Sequence, residues 1–498
     1  MKRRFHFTVR LSVTALALTV SLAYICRMLT PKHFANEYWP ETTTVLEFYQ
    51  LEEESVDVLF LGTSHAVSAF LPQELYDRYG ITSYNLSTEL QNLVVSYYWL
   101  KEALSTQQPH AVILDTYLLF EFDETEPLNS AESCTRLAMD FMKMGPVKRE
   151  AIAAICELDE NQSAFSYYFP NVRYHTRWEE LGKEDFLFEE YAGIPGLMGY
   201  STVKRNTVPD DYSTFTAGAS DWTEEMDPLM LEYLDKILAL CQEEGIDLIL
   251  VKTPSTINSS GRYNTTMQYA AEHGIAYYDF NEASLYDAVG FSFQDDMADY
   301  GHLLLSGAVK ITDYIGLLLQ TSYGIEAHEE EDWENAENVY QDYLTLLSLS
   351  GITDFEEYLS VLHDYEDRLT IFIAARDEAS TSMNEEIIGL LQDFGLSETW
   401  EDAYRSSYYA VIDSGAVLLE EISAEALQHN GSFHRGRVAY SICSAGFPAG
   451  DDSSIVIGET EYSVNSRGLN IVVYDNLQED VVDSVCFDTY DPSLAATR

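Results

Sequence analysis

Between residues 56 and 320 the apolar positions switch repeatedly between two periods. Short runs rich in apolar residues at 56–61, 83–86, 111–116, 246–252 and 275–280 predict strands, that at 111–116 of the buried type. Between them, 72–79, 93–104, 229–244, 263–273 and 307–320 carry apolar residues at helical spacing. Alternation of this kind predicts an α/β fold, a parallel sheet flanked by helices. From 120 to 216 the periodicity blurs. Aromatic residues crowd there into Phe165-Ser166-Tyr167-Tyr168-Phe169-Pro170 and Tyr174-His175-Thr176-Arg177-Trp178.

After residue 325 the pattern changes. Residues 326–337 are crowded with acidic side chains, and 338–365 returns to helical spacing, broken at Gly351-Ile352-Thr353-Asp354, where Thr353 or Asp354 is positioned to cap a second helix. A solvated, helical connector is the expectation. Runs at 370–375, 407–412, 437–444, 454–457, 460–464, 468–474 and 481–488 then predict a β-rich, sandwich-like module, with one helix at 383–391. The expected layout is a cytoplasmic tip and membrane anchor at 1–35, an α/β domain at 36–325, the connector at 326–368 and the β-rich module at 369–498.

The N-terminus has its own pattern. Lys2, Arg3, Arg4 and Arg10 precede an apolar run from Leu11 to Cys26 closed by Arg27, which 5–9 can extend to spanning length. Basic residues before such a run keep that end in the cytoplasm, so the bulk of the chain is expected outside. Ser21-Leu22-Ala23 resembles a signal-peptidase site, so cleavage competes with an uncleaved anchor; Tyr24 beside it makes the site poor, and the anchor is the expectation.

Charge narrows the partners. The 498 residues carry 83 acidic and 28 basic side chains, a net charge of −55, which repels nucleic acid. Six cysteines do not make a disulfide scaffold. Cys443 and Cys486 lie in strand-like runs and either pair or remain two free thiols. With no Cys-x-x-Cys and no His-x-x-x-His, neither a metal site nor a cofactor is expected.

Two places carry chemistry. Gly62-Thr63-Ser64-His65 follows the strand at 56–61, so Ser64 stands at the carboxyl end of a strand, where open parallel sheets bind ligands. Asp299-Tyr300-Gly301-His302 offers a carboxylate three residues from an imidazole, a spacing that lets Asp299 hold one ring nitrogen while the other takes a serine proton.

These blocks, with Tyr84-Asn85-Leu86-Ser87, Ala111-Val112-Ile113-Leu114-Asp115, Leu250-Val251-Lys252-Thr253-Pro254 and Gly307-Ala308, resemble the SGNH/GDSL hydrolase superfamily, and within it the membrane-anchored DltD-like branch, over about 50–320. The resemblance implies an SGNH-type, flavodoxin-like sheet with Ser64 as nucleophile, His302 as base and Asp299 as its partner. It also implies an oxyanion site drawn from Ser64, Ser87 and Asn85. Ser87 stands where the family has Gly, and Asp115-Thr116-Tyr117 where it often has Asn. By the same resemblance the irregular segment covers the active-site mouth, making His175, Arg177 and Trp178, with His65, substrate-binding candidates. Ser466-Arg467-Gly468-Leu469-Asn470 and Phe487-Asp488-Thr489-Tyr490 resemble the interleukin-like EMT inducer (GG) domain over about 369–492, which implies a carbohydrate-binding module. Exposed aromatic residues would serve such binding, with Trp400, Tyr408, Tyr474 and Arg467 as candidates.

The implied function is a serine acyltransferase or esterase acting outside the cytoplasm on O-acyl groups, most simply acetyl, of cell-surface polysaccharide or teichoic acid, with a multipass membrane O-acyltransferase as partner. The alternative is a noncatalytic envelope protein that binds glycan or such an acyltransferase.

Overall fold

The computed structural model describes residues 2–30, 47–179, 181, 185–186, 197–201, 203, 212–434 and 436–498. The chain divides into two compact units, Met1–Tyr340 and Gln341–Arg498. Among the described residues one helix, Thr8–Leu29, is long and apolar enough to cross a membrane, and its apolar window is not buried.

Five strands form the sheet of the first unit: β1 (Val58–Leu61), β2 (Ser83–Asn85), β3 (Ala111–Asp115), β4 (Asp247–Lys252) and β5 (Ala276–Asp279). All are parallel, in the order β2-β1-β3-β4-β5. Alternate residues of the central strands feed two cores. Leu59, Leu61, Val112, Leu114, Leu248 and Leu250 pack with the helices Leu93–Ala103 and Pro228–Glu244 on one face. Val58, Phe60, Ile113, Ile249 and Val251 pack with Pro72–Tyr79 and Leu305–Ser322 on the other. Burial on both faces is why these strands read as unbroken apolar runs, each such side chain contributing about 1.5–3 kcal/mol. The chain reverses its winding between β1 and β3, and the crevice at their carboxyl ends is the natural ligand position of such a sheet.

The second unit contains β6 (Leu369–Asp377), β7 (Ser407–Asp413), β8 (Ala416–Ser423), β9 (Leu427–Phe433), β10 (Val438–Gly446), β11 (Asp452–Ile457), β12 (Thr460–Glu461), β13 (Gly468–Asp475), β14 (Asp480–Phe487) and β15 (Ala496–Thr497). The unit is β-rich as expected, but its ten strands are hydrogen-bonded into one curled sheet where a sandwich was expected. β6 is its hub: antiparallel to β13 and β7, it is also joined in parallel, at its last residues, by β10. Ile371, Ile373 and Ala375 of β6 face one core together with the helices Phe355–Asp364 and Glu385–Asp393, while Phe372 and Ala374 face a second core lined by Phe433, Tyr440 and Ile455.

The helices between 331 and 364 contribute to both units. Trp333 and Ala336 of helix Glu331–Ser348 lie in the first core, and Leu346 of the same helix lies in the second. Asp354 is the cap of the next helix, its carboxylate accepting from the Glu357 NH at 2.9 Å. Cys443 and Cys486 are free thiols: β6 and β13 lie between their strands, and burial pushes the Cys486 thiol up to about 12.

Candidate active site

Ser64 is the first residue of the short helix Ser64–Ala69, which Thr63 caps by accepting from the His65 NH. The turn before it depends on a glycine. Gly62 has φ +156°, and a Cβ there would lie 2.4 Å from the Cβ of Asp115. Asp115, at the end of β3, accepts from the Thr63 hydroxyl at 2.7 Å, the Thr63 NH at 3.3 Å and the Tyr117 NH at 3.1 Å. The residue that stands where the family resemblance expects Asn therefore ties the turn that bears Ser64 to the neighbouring strand.

From 238 positions further along, His302 places Nε2 2.9 Å from Ser64 Oγ. Its Nδ1 lies 2.8 and 3.0 Å from the two carboxylate oxygens of Asp299, and Asp299 Oδ1 also accepts the NH groups of Gly301 and His302, each at 2.9 Å. A tight turn, closed by Ala298 NH donating to His302 C=O at 2.8 Å, holds Asp299 and His302 together. The carboxylate fixes the tautomer: Nδ1 carries the proton, and Nε2 is left to accept from the serine hydroxyl. Burial works to raise the Asp299 carboxyl, but the hydrogen bond and charge of His302 with the two NH groups outweigh it and hold it below its ordinary value.

The turn rests on a second imidazole. His65 is buried, stacks on Tyr117 at a centroid distance of 3.9 Å, and lies 5.2 Å from the His302 ring. A Cβ at Gly301 would meet His65 Cε1 at 2.4 Å, so only glycine lets the turn approach the ring this closely. Burial, then the charges of Lys252 and His302, push His65 well below the usual histidine range, and its Nδ1 is buried with no hydrogen-bond partner. These facts describe a buried ring that props the turn of Asp299 and His302.

Sequence reasoning assigned no role to the charge cluster beneath. Asp115, Lys252 and Asp279 end β3, β4 and β5, and all are buried. Lys252 Nζ donates to Thr253 C=O at 3.2 Å and lies 5.1 Å above the Tyr117 ring. Burial pushes Lys252 down and both carboxyls up, while the attraction between the opposite charges works against it. A charged residue closing each of three adjacent apolar runs was the available signal.

The oxyanion candidates separate. The Ser64 NH has no partner among the described residues. The Ser87 NH is occupied by Asn85 Oδ1 at 3.2 Å, and Asn85 Nδ2 donates to Ala66 C=O at 2.9 Å and Phe70 C=O at 3.2 Å. Asn85 is thus a structural brace. The Ser87 hydroxyl is buried and has no partner among the described residues.

The remaining candidates have other engagements. Arg177 donates to Leu29 C=O at 2.9 Å and pairs with Asp185 at 3.1 Å, and His175 Nδ1 lies 3.0 Å from Val172 C=O. Trp178 is 65% exposed. In the second unit, Tyr408 and Tyr474 are core residues and Trp400 packs on the core; Arg467 is exposed and pairs with Asp488 at 2.6 Å.

The chain matches no family model, and no curated protein matches it.

Proposed function

We propose that the chain is an SGNH-type serine esterase or O-acyltransferase, anchored by its N-terminal helix, that handles O-acyl groups of cell-surface polysaccharide or teichoic acid outside the cytoplasm. The supporting observation is the relay Ser64 Oγ, His302 Nε2, His302 Nδ1, Asp299, with spacings of 2.9 and 2.8 Å, assembled from opposite ends of the first unit. Ser64 Oγ attacks the ester carbonyl as its proton passes to His302 Nε2. The alcohol leaves with that proton, and an acyl-serine remains; water or a sugar hydroxyl, deprotonated by the same nitrogen, then releases the acyl group. Two donors without a partner among the described residues, the Ser64 NH and the Ser87 hydroxyl, are the candidates to meet the developing oxyanion. Acetyl is the simplest acyl group for this chemistry, and a multipass acyltransferase is the partner that would supply it.

Full-length protein in detergent is expected to release acetate from p-nitrophenyl acetate and from acetylated polysaccharide, and Ser64→Ala to lose at least about 10³-fold in rate. Equal rates for the two proteins would exclude the enzyme. One observation favours the second reading, a noncatalytic protein that binds glycan or an acyltransferase: Asn85 already occupies the Ser87 NH. Under that reading, Ser64→Ala leaves polysaccharide binding unchanged and no acetate appears with either protein.

A further inference from the structure

The carboxyl end of the membrane-length helix is fastened to the irregular segment of the first unit. Cys26 Sγ lies 3.2 Å from Asn171 Oδ1, and Arg177 donates to Leu29 C=O at 2.9 Å. The segment itself is rigidly seated: buried Arg136 pairs with Asp140 at 2.7 Å, donates to Ser166 Oγ at 2.7 Å and stacks over the Tyr167 ring at 3.7 Å. The depth of this contact follows from length. The 22 residues Thr8–Leu29 rise about 33 Å at about 1.5 Å per residue, against a hydrocarbon core of about 30 Å. Groups that touch Cys26 and Leu29 therefore lie at the headgroup layer of the outer leaflet.

What the segment exposes there is aromatic. Phe165 is 61% exposed and Trp178 65%, with Tyr168, Phe169 and Val172 exposed between them. Phe165 and Phe169 lie against each other at 4.7 Å, forming one apolar surface. In a chain of net charge −55, residues 161–178 contain no Asp or Glu, as is also true of residues 1–36. Tyr and Trp rings favour the interface between headgroup and acyl chain, and an acid-free stretch adds no carboxylate of its own to repel lipid phosphates.

We propose that this face, Phe165 to Trp178, lies in the interfacial layer of the bilayer, so that the first unit is held against the membrane by a second contact beside its helix. The inference rests on the anchored reading, and the test separates the two. The full chain is reconstituted in phosphatidylcholine vesicles, and the emission of Trp178 is taken as the difference between the unmodified protein and Trp178→Phe. Phosphatidylcholine brominated high on its acyl chains is expected to quench that difference emission more than phosphatidylcholine brominated near the chain ends, and aqueous iodide to quench it less than in the urea-unfolded chain. A chain that survives alkaline washing with the vesicles but whose Trp178 is quenched by iodide and untouched by bromolipid overturns the proposal, leaving the face free for a protein partner. A chain that washes off the vesicles removes the anchor, and the proposal falls with it.

Discussion

In the first unit, the charged residues that end β3, β4 and β5 gather at one edge of the sheet, whereas in the second unit Arg368, just before β6, meets Asp475 at the end of β13 as a direct pair, Nε to Oδ1 at 2.8 Å. Strand direction accounts for the contrast. Parallel strands all deliver their carboxyl ends to the same side, so Asp115, Lys252, Asp279 and the turn bearing Ser64 accumulate there. Antiparallel neighbours bring a strand start beside a strand end, where opposite charges pair and cancel. The first arrangement concentrates polar groups where a ligand can use them; the second spends them on stability.

The sharpest break of this comparison is Asp299→Asn. The substituted amide retains an acceptor for the turn NH groups but no longer enforces the Nδ1-protonated tautomer of His302, so kcat is expected to fall about 10³–10⁴-fold with the fold unchanged by circular dichroism. A loss below tenfold would mean that the relay does not carry the reaction.

In the second unit the matching break is Arg368→Ala. Asp475 is fully buried, and losing its partner strands a charge, at an expected cost of about 3–5 kcal/mol in the stability of that unit. Urea unfolding should show the loss while the specific activity of folded protein stays unchanged. A parallel loss of activity would show that the pair also supports the site.

Much of the first unit was legible because burial on both faces of a parallel sheet writes its central strands β1, β3 and β4 as apolar runs, and because the serine and the Asp-x-x-His turn each stand at a topologically fixed place. The helix Pro146–Leu158 was missed although Pro146 at its start and Ala151, Ile152 and Ile155 at helical spacing were available; the neighbouring aromatics masked the period. The occupation of the Ser87 NH by Asn85 was missed although it is a local Asx turn over Asn85-Leu86-Ser87, for which the asparagine itself was the signal. In the second unit, β8 and β9 escaped because β8 is largely exposed and β9 reads Leu427-Gln428-His429-Asn430-Gly431-Ser432-Phe433. Tyr408 and Tyr474 were expected to meet ligand, yet they belong to the two opposite cores of the curled sheet, because both faces of its central strands are buried. Aromatic residues signal a binding face only where one side of the sheet is open.

A smaller effect tests the prop beneath the turn of Asp299 and His302. His65 is held neutral in the folded chain, well below its unfolded value of about 6.5, so the unfolded chain binds one more proton as pH drops. Its contribution to stability is complete above about pH 6.5 and falls as pH is lowered toward the folded value, by up to about 1.4 kcal/mol per pH unit. Melting curves of the unmodified protein and His65→Phe between pH 7.5 and 5 should converge as pH falls. Parallel curves would mean that folding leaves the pKa of His65 unshifted.

The smallest expected effect lies at Arg467, which is charge-paired like Arg368 but exposed. Its guanidinium donates to Asp488 and lies 4.4 Å over the Tyr490 ring, yet water reaches both members of the pair, so Arg467→Ala should change stability by less than about 1 kcal/mol. The contrast with Arg368 is therefore one of burial alone: the same guanidinium-carboxylate geometry sits in one case over a fully buried acid and in the other on the surface. Because the variant leaves the fold intact, it also isolates recognition. If Arg467 contacts glycan, titration with cell-surface polysaccharide should weaken at least tenfold in Arg467→Ala, roughly the 1.4 kcal/mol of one good polar contact, while unfolding stays put. Unchanged affinity beside unchanged stability would assign the pair to the surface and remove Arg467 from any binding role.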